Sequence, residues 1–287
     1  MFCSMRFSTD RYSLYQITAV CLCILPLQGC FERHKTTDRL CQEKPQLCHD
    51  LNIDDGQCRI QRTNLIWQRN RVLSVPNDLE RLQELKDLKK YQLCLEFAAQ
   101  IEPIDMKERK TYRIDKLHQS YQSEQKLMEQ LLNSYDPNVL YYRWTQGSQD
   151  ALEQFLKQED SEQVKTTTLQ FGYAAYYSQQ KNSNKAKQHL LAALSYLEPN
   201  ETIQPQLIQG LATYAFQEND LIQAYIWTQT GQQLKLFDVS DQRMEQHFSF
   251  SSKEISTLDK VVDKVVNSLL AGNFEPALLI VPTFKNT

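Results

Sequence analysis

The sequence predicts an all-α protein: helical hairpins stacked as a solenoid, preceded by a small disulfide-bearing N-terminal head. Three observations carry this expectation. Only 7 glycines occur in 287 residues, poor material for β-turns, whereas Gln, Leu, Lys and Glu are plentiful and cost little in a helix. Apolar residues recur at three- and four-residue spacings over long stretches, the period of a helix face. Small residues return at fixed intervals in the second half of the chain.

Residues 1–29 read as an export signal. Arg6 and Arg11 supply a positive region, and Ile17 to Leu27 form an apolar stretch too short to span a bilayer as a helix, which takes about 20 residues. The stretch ends Leu27-Gln28-Gly29-Cys30, which looks like the lipobox of bacterial lipoproteins: aliphatic, any, small, cysteine. Cys30 is then the mature, lipid-bearing N-terminus, tethering the chain to the membrane. Phe31 follows it in place of the Asp that resembles an inner-membrane retention signal. The expected location is the outer membrane of a Gram-negative cell, facing the periplasm.

Residues 30–76 read as an irregular, cysteine-bearing head. Four cysteines outlast signal removal and lipidation: Cys41, Cys48, Cys58 and Cys94. An even number in an oxidising compartment implies two disulfides, with three possible connectivities. The preferred one closes Cys41–Cys48 as a local loop and Cys58–Cys94 as a clasp onto the first long helix. A zinc site using Cys48 and His49 is the competing idea, but the cysteine spacings match no zinc knuckle, so no metal is expected. Asp54-Asp55-Gly56 is a turn signal, and Cys58 to Trp67 reads as short extended structure or a helix start.

Residues 77–135 predict a long helical hairpin. Asn77 or Asp78 caps a helix carrying Leu79, Leu82, Leu85, Leu88 and Leu95 towards Ile101, ended by Pro103. A second helix runs from about Met106 to Ser134, with Ile114, Leu117, Tyr121, Met128 and Leu131 as the stripe expected to pack.

Residues 136–238 hold the repeat. Ala174, Ala186 and Ala193 are separated by 12 and 7 residues, and Ala212, Ala224 and Gly231 repeat those gaps 38 residues later. Antiparallel helices approach closely only where side chains are small, and the next pair must nest on the same surface. The spacing resembles the tetratricopeptide repeat. It departs from that pattern at Gln170 and Ile208, where an aromatic is usual, and in lacking a terminal proline in the second unit. A weaker unit precedes them, with Val139 to Tyr142 as one helix, a turn at Gly147, and Ala151 to Leu156 as the other. In a tetratricopeptide-like frame the first helix of each pair lines the binding face. That face takes Thr168, Phe171, Ala175, Ser178 and Gln179, then Gln206, Gln209, Thr213 and Phe216; Phe171, Ser178, Gln179, Gln209, Thr213 and Phe216 are the candidate partner-binding residues.

Residues 239–287 predict a capping helix and tail. Ser251 to Glu254 reads as a capping box. Ile255, Leu258, Val261, Val262, Val265, Val266, Leu269 and Leu270 form one apolar face, and Gly272 is the natural stop. The apolar tail from Ala277 to Val281 is expected to dock onto the body.

No chemistry-bearing motif accompanies this frame. His34, His49, His118, His189 and His247 form no metal-ligand spacing and suit helix surfaces or loops. The chain has no nucleophile elbow, phosphate loop or dinucleotide fingerprint, so no catalytic residue and no cofactor is expected. A net charge of −3 and the lack of a basic block argue against nucleic-acid binding. Taken together, Cys30-Phe31-Glu32, the stretch Leu51 to Ile60 with its DDGQCR core, Leu65-Ile66-Trp67 and Cys94-Leu95-Glu96 resemble an uncharacterised lipoprotein family of gammaproteobacteria, a domain of unknown function. The resemblance implies an envelope lipoprotein and no reaction. The expected function is a lipid-tethered helical-repeat adaptor for a protein or peptide partner. The alternatives are an enzyme or accessory factor acting on envelope polymers such as peptidoglycan, and a purely structural envelope lipoprotein.

Overall fold

The structure is a computed structural model that describes residues 36–102 and 108–281. Cys30 and the rest of the export signal, Pro103 and Met106 lie outside the described residues. Among the described residues the chain has twelve α-helices and no strand. In order they are α1 (Thr37–Glu43), α2 (Arg59–Ser74), α3 (Asp78–Ala99), α4 (Glu108–Leu131), α5 (Pro137–Thr145), α6 (Gln149–Leu156), α7 (Thr167–Gln179), α8 (Ser183–Ser195), α9 (Pro205–Gln217), α10 (Leu221–Gln233), α11 (Asp241–His247) and α12 (Ser252–Ala271). The described residues group into two compact units. One takes the chain up to Arg71 together with Asp87–Tyr121, and the other takes Val72–Lys86 together with the chain from Gln122 onward.

The first unit contains the head, which is more regular than expected. The segment after Cys58 is the sixteen-residue helix α2, not extended structure. The disulfides are Cys41–Cys48 and Cys58–Cys94, each with Cα atoms 5.7 Å apart. Cys48 is therefore no thiolate, and the zinc alternative beside His49 loses its sulfur ligand.

Between these bonds runs a loop, residues 48–58, that is largely buried, with Leu51, Asn52, Asp55 and Cys58 all inside. Buried backbone outside helices must find hydrogen-bond partners elsewhere. Side chains of the helices supply them. Tyr91 of α3 donates to Oδ1 of Asn52 (2.8 Å) and accepts from its backbone N–H (2.9 Å). Arg62 donates to the carbonyls of Asn52 and Asp55. Arg69 grips Asp50 through two bonds of 2.6 and 2.7 Å and also reaches the Leu47 carbonyl. Arg113 of α4 pairs with Asp55 and donates to the Ala98 carbonyl (3.0 Å). Lys116 reaches the His49 carbonyl (3.0 Å).

These contacts overturn part of the expected face of α4: Leu131 is buried as expected and Leu117 and Met128 are half-buried, but the N-terminal part of the stripe is displaced. Arg113, Lys116 and Ser120 point inward, while Ile114 and Tyr121 are 50% and 44% exposed. Buried acceptors in the loop outrank the apolar stripe, because an unpaired Asp55 or carbonyl costs more than an exposed isoleucine. At the start of α3, Asn77 is the cap, its Oδ1 accepting from Glu80 N–H (2.9 Å). Leu82, Leu85, Leu88 and Leu95 are buried as expected, but Leu79 and Ile101 are exposed.

The second unit carries the repeat, and its period is visible residue by residue. The helices α7 and α8 and the helices α9 and α10 have bounds offset by 38 residues throughout. Lys181 and Asn219, at equivalent turns, both have φ of 56°. Asn182 and Asp220 follow them, capping α8 through Lys185 N–H and α10 through Gln223 N–H. Ala174, Ala186, Ala193, Ala212 and Ala224 are all buried. At Gly231 the ring of Phe237 occupies the space a Cβ would need. The shorter pair α5 and α6 precedes them, joined at Gly147 with φ of 97°.

At the other end of the repeat, α12 has the expected capping box, with Ser251 N–H donating to Glu254 Oε2 at 2.7 Å. Leu258, Val261, Val262, Val265, Val266 and Leu269 are buried, but Leu270, assigned to the same face, is 58% exposed. Gly272 ends the helix with φ of 67°, lying against the Glu198–Pro199 backbone where a Cβ would clash. The tail docks in part: Leu278, Leu279 and Val281 pack on the core, and Gln223 Nε2 donates to the Leu279 carbonyl (3.1 Å), while Ala277 and Ile280 are exposed.

The buried Asp55–Arg113 pair should dominate the stability of the first unit. Burial acts to raise the Asp55 carboxyl, but the Arg113 hydrogen bond, the Gln57 N–H and the nearby Arg113 and Arg109 charges hold it below the usual aspartate value. Arg113→Ala leaves that carboxylate buried without its counter-charge, so urea denaturation should show a loss of about 3–5 kcal/mol. A loss below ~1 kcal/mol, the range of surface pairs, would show that water replaces the guanidinium.

Candidate partner-binding site

Two features of the second unit are built from titratable or exposed side chains. The first is a polar cluster where α7 and α8 meet the segment after α6. Glu159 accepts from Tyr177 Oη, from Lys185 Nζ (3.0 Å) and from the His189 edge (Nε2, 3.1 Å). Nδ1 of His189 lies 2.7 Å from Oε1 of Gln170, whose Nε2 donates to the Val164 carbonyl (3.0 Å). The imidazole lies between the rings of Tyr173 and Tyr177, with centroids 5.2 and 5.4 Å away. His189 is thus buried, at 7% exposure, and is not the helix-surface histidine expected. Gln170, the departure from the usual aromatic, is its buried partner.

The protonation of this cluster argues for a tie between helices. Hydrogen bonds to Tyr177 and Glu159 push Lys185 up to about 12. Burial, then the bond to Glu159, raises the Tyr177 phenol. Both hold their protons at neutral pH, where a general base or nucleophile needs a pKa near the working pH. Burial acts to raise Glu159, but the bonds from Tyr177, Lys185 and His189 prevail and hold it below the usual glutamate value. Burial lowers His189, with Glu159 offsetting part of that shift.

The second feature is a pocket of about 440 Å³ beside α9. Gln209, Ala212, Thr213 and Phe216 of α9 form one wall, Thr228 of α10 lies behind, and Phe237, Val239, Met244, His247 and Phe248 close it. Phe216 is its most prominent ring, 37% exposed, with centroids 5.4 Å from Phe248 and 5.8 Å from His247. The Thr213 hydroxyl donates back to the Gln209 carbonyl (2.7 Å), which leaves the wall mainly apolar.

Three of the six candidate binding residues, Gln209, Thr213 and Phe216, therefore meet in one pocket. The other three do not join them. Phe171 is half-buried against the repeat core, and Ser178 and Gln179 are exposed at the end of α7. The residues that complete the pocket, Phe237 to Phe248, were not foreseen. Their only sequence signal is the four-residue spacing of Met244 and Phe248, and it gives no indication of which surface they meet.

The model for a protein of unknown function (DUF2989) matches residues 27–229, more than two thirds of the chain. The chain belongs to the DUF2989 family. That match takes in the disulfide-bonded head, the repeat up to Gln229 within α10 and half of the residues lining the pocket of this DUF2989 protein, and stops before α11 and α12. No curated protein and no solved structure matches the chain significantly.

The polar cluster sets a pH dependence with a definite sign. A lowered His189 contributes stability that is present above its ordinary value of 6.5 and lost as pH falls through its folded value. A lowered Glu159 contributes stability present above 4.5 and lost at lower pH in the same way. Thermal melts should therefore fall in two steps on acidification. Glu159→Gln should cost about 1–3 kcal/mol at neutral pH and flatten the lower step. An unchanged acid profile in that variant would assign the loss to other carboxylates.

Proposed function

We propose that this protein is a lipid-anchored adaptor of the Gram-negative cell envelope, a binding module rather than an enzyme, which holds a protein or peptide partner in the α9 pocket. The observation that carries the reading is the convergence of Gln209, Thr213 and Phe216. They are three of the six residues assigned to a binding face in a tetratricopeptide-like frame, and they share one apolar pocket. A partly exposed aromatic in a concave apolar wall, with few polar groups around it, is the usual composition of a recognition anchor.

The envelope part of the proposal rests on Leu27-Gln28-Gly29-Cys30 and on compartment chemistry. Two disulfides suit an oxidising compartment. The family match starts at Leu27, the first residue of that motif. Among the described residues no helix is long and apolar enough to cross a membrane, so Cys30 supplies the attachment in this reading. A diacylglyceryl-type modification provides more than the single acyl chain that binds only reversibly.

Two experiments test these halves separately. Cys30→Ala should accumulate an unprocessed precursor; normal maturation of that variant would remove the anchor. Affinity capture from detergent-solubilised envelopes should recover a partner with the parent chain, and Phe216→Asp should reduce that recovery roughly tenfold or more, the effect of losing an interface anchor, with an unchanged circular dichroism spectrum. Recovery that ignores Phe216→Asp would sink the pocket, and no recovery above background would sink the adaptor.

A further inference from the structure

The short helix α11 covers the α9 pocket from within the same chain, and its attachment is weak by several measures. It has seven residues, and its N-cap Ser240 makes no side-chain capping bond. Helices of this length have little stability of their own and depend on packing. Its apolar attachment is Met244 and, at its C-cap, Phe248. Phe248 packs at a tilt against Phe216 and sits edge-on to Tyr225, centroids 5.4 and 5.3 Å apart. Space remains on both sides. The 440 Å³ pocket lies along one flank, and a cavity of about 510 Å³ lined by Tyr225, Gln229, Gln232, Gln233 and Ile255 lies along the other. Met244 and Phe248 line both. Gln232 donates through Nε2 to the Val239 carbonyl (2.8 Å), while its buried Oε1 has no partner among the described residues.

We infer that α11 is an internal ligand of this groove, and that the partner is an amphipathic helix presenting two bulky apolar side chains one turn apart. Resting on the adaptor reading, this adds the chemistry of the partner and a mode of entry. The incoming helix takes the Met244 and Phe248 positions and displaces α11, joining the two cavities into one groove. Its extra length fills the flanking space that seven residues leave, and a donor at its edge satisfies Gln232 Oε1. Because α11 is tethered, it competes at a high effective concentration and keeps the resting affinity low.

The probe is a labelled peptide with the sequence Ser240–Phe250 and a second peptide with Ser at both anchor positions, each added to the full chain. Met244→Ser in the protein weakens the internal ligand, and the first peptide should then bind roughly tenfold more tightly than to the parent chain, the tether no longer competing. The second peptide should not bind. A folded Met244→Ser chain with unchanged affinity overturns the inference. The parent chain gives a measure that needs no variant: at millimolar peptide, amides of Asp241–Phe248 should exchange faster with deuterium, and unchanged protection also overturns it. Failure here with Phe216-dependent capture intact leaves the adaptor standing with α11 as a fixed wall. Capture indifferent to Phe216 removes the groove altogether.

Discussion

A buried polar group must be hydrogen-bonded inside the protein, and the loop between Cys48 and Cys58 makes that requirement the organising constraint of the first unit. The loop carries Asp50, Asn52 and Asp55 into the interior without a helix or sheet to satisfy its backbone. Tyr91, Arg62, Arg69, Arg113 and Lys116 are consequently drawn inward from three helices. The two disulfides sit at the borders of the same loop and limit the conformations it must be recovered from on folding. Within the Asp54-Asp55-Gly56 turn, Asp55 is the internal partner of Arg113.

The second unit answers the same constraint differently. Its helices satisfy their own backbones, and the remaining requirement is close approach. Small residues at a 38-residue period meet it. Where a polar side chain does enter, as at Gln170 and His189, a chain of partners runs from the Val164 carbonyl to Glu159 and Lys185. The pair α9 and α10 lacks that polar cluster and presents Phe216 and its neighbours to a groove instead. Two copies of one repeat frame thus differ in what they present, a polar cluster tied to the preceding segment in one and an apolar pocket wall in the other.

How far the sequence could be read depended on how local each interaction is. The capping box at Ser251 and the left-handed stop at Gly272 involve residues within a turn of each other, so residue type and spacing suffice. The alanines of the repeat were legible because close helix packing accepts few residue types. The face of α4 was not, since an inward Arg113 looks like a solvent residue until Asp55, 58 positions away, is placed beside it. His189 misled for the same reason, its partners being 19 and 30 positions distant.

By itself, then, the sequence determined the helical class, the repeat register, the capping box at Ser251 and the stop at Gly272. These follow from local propensity and from a period that repeats along the chain. Only the tertiary structure decided that Gln209, Thr213 and Phe216 face Met244 and Phe248, that Phe171, Ser178 and Gln179 stand apart from them, and that Ile114 and Tyr121 on α4 yield to buried arginine and lysine. Each of those outcomes is a competition between contacts distant in sequence, and the winner is set by the cost of leaving a polar group unpaired or a cavity unfilled.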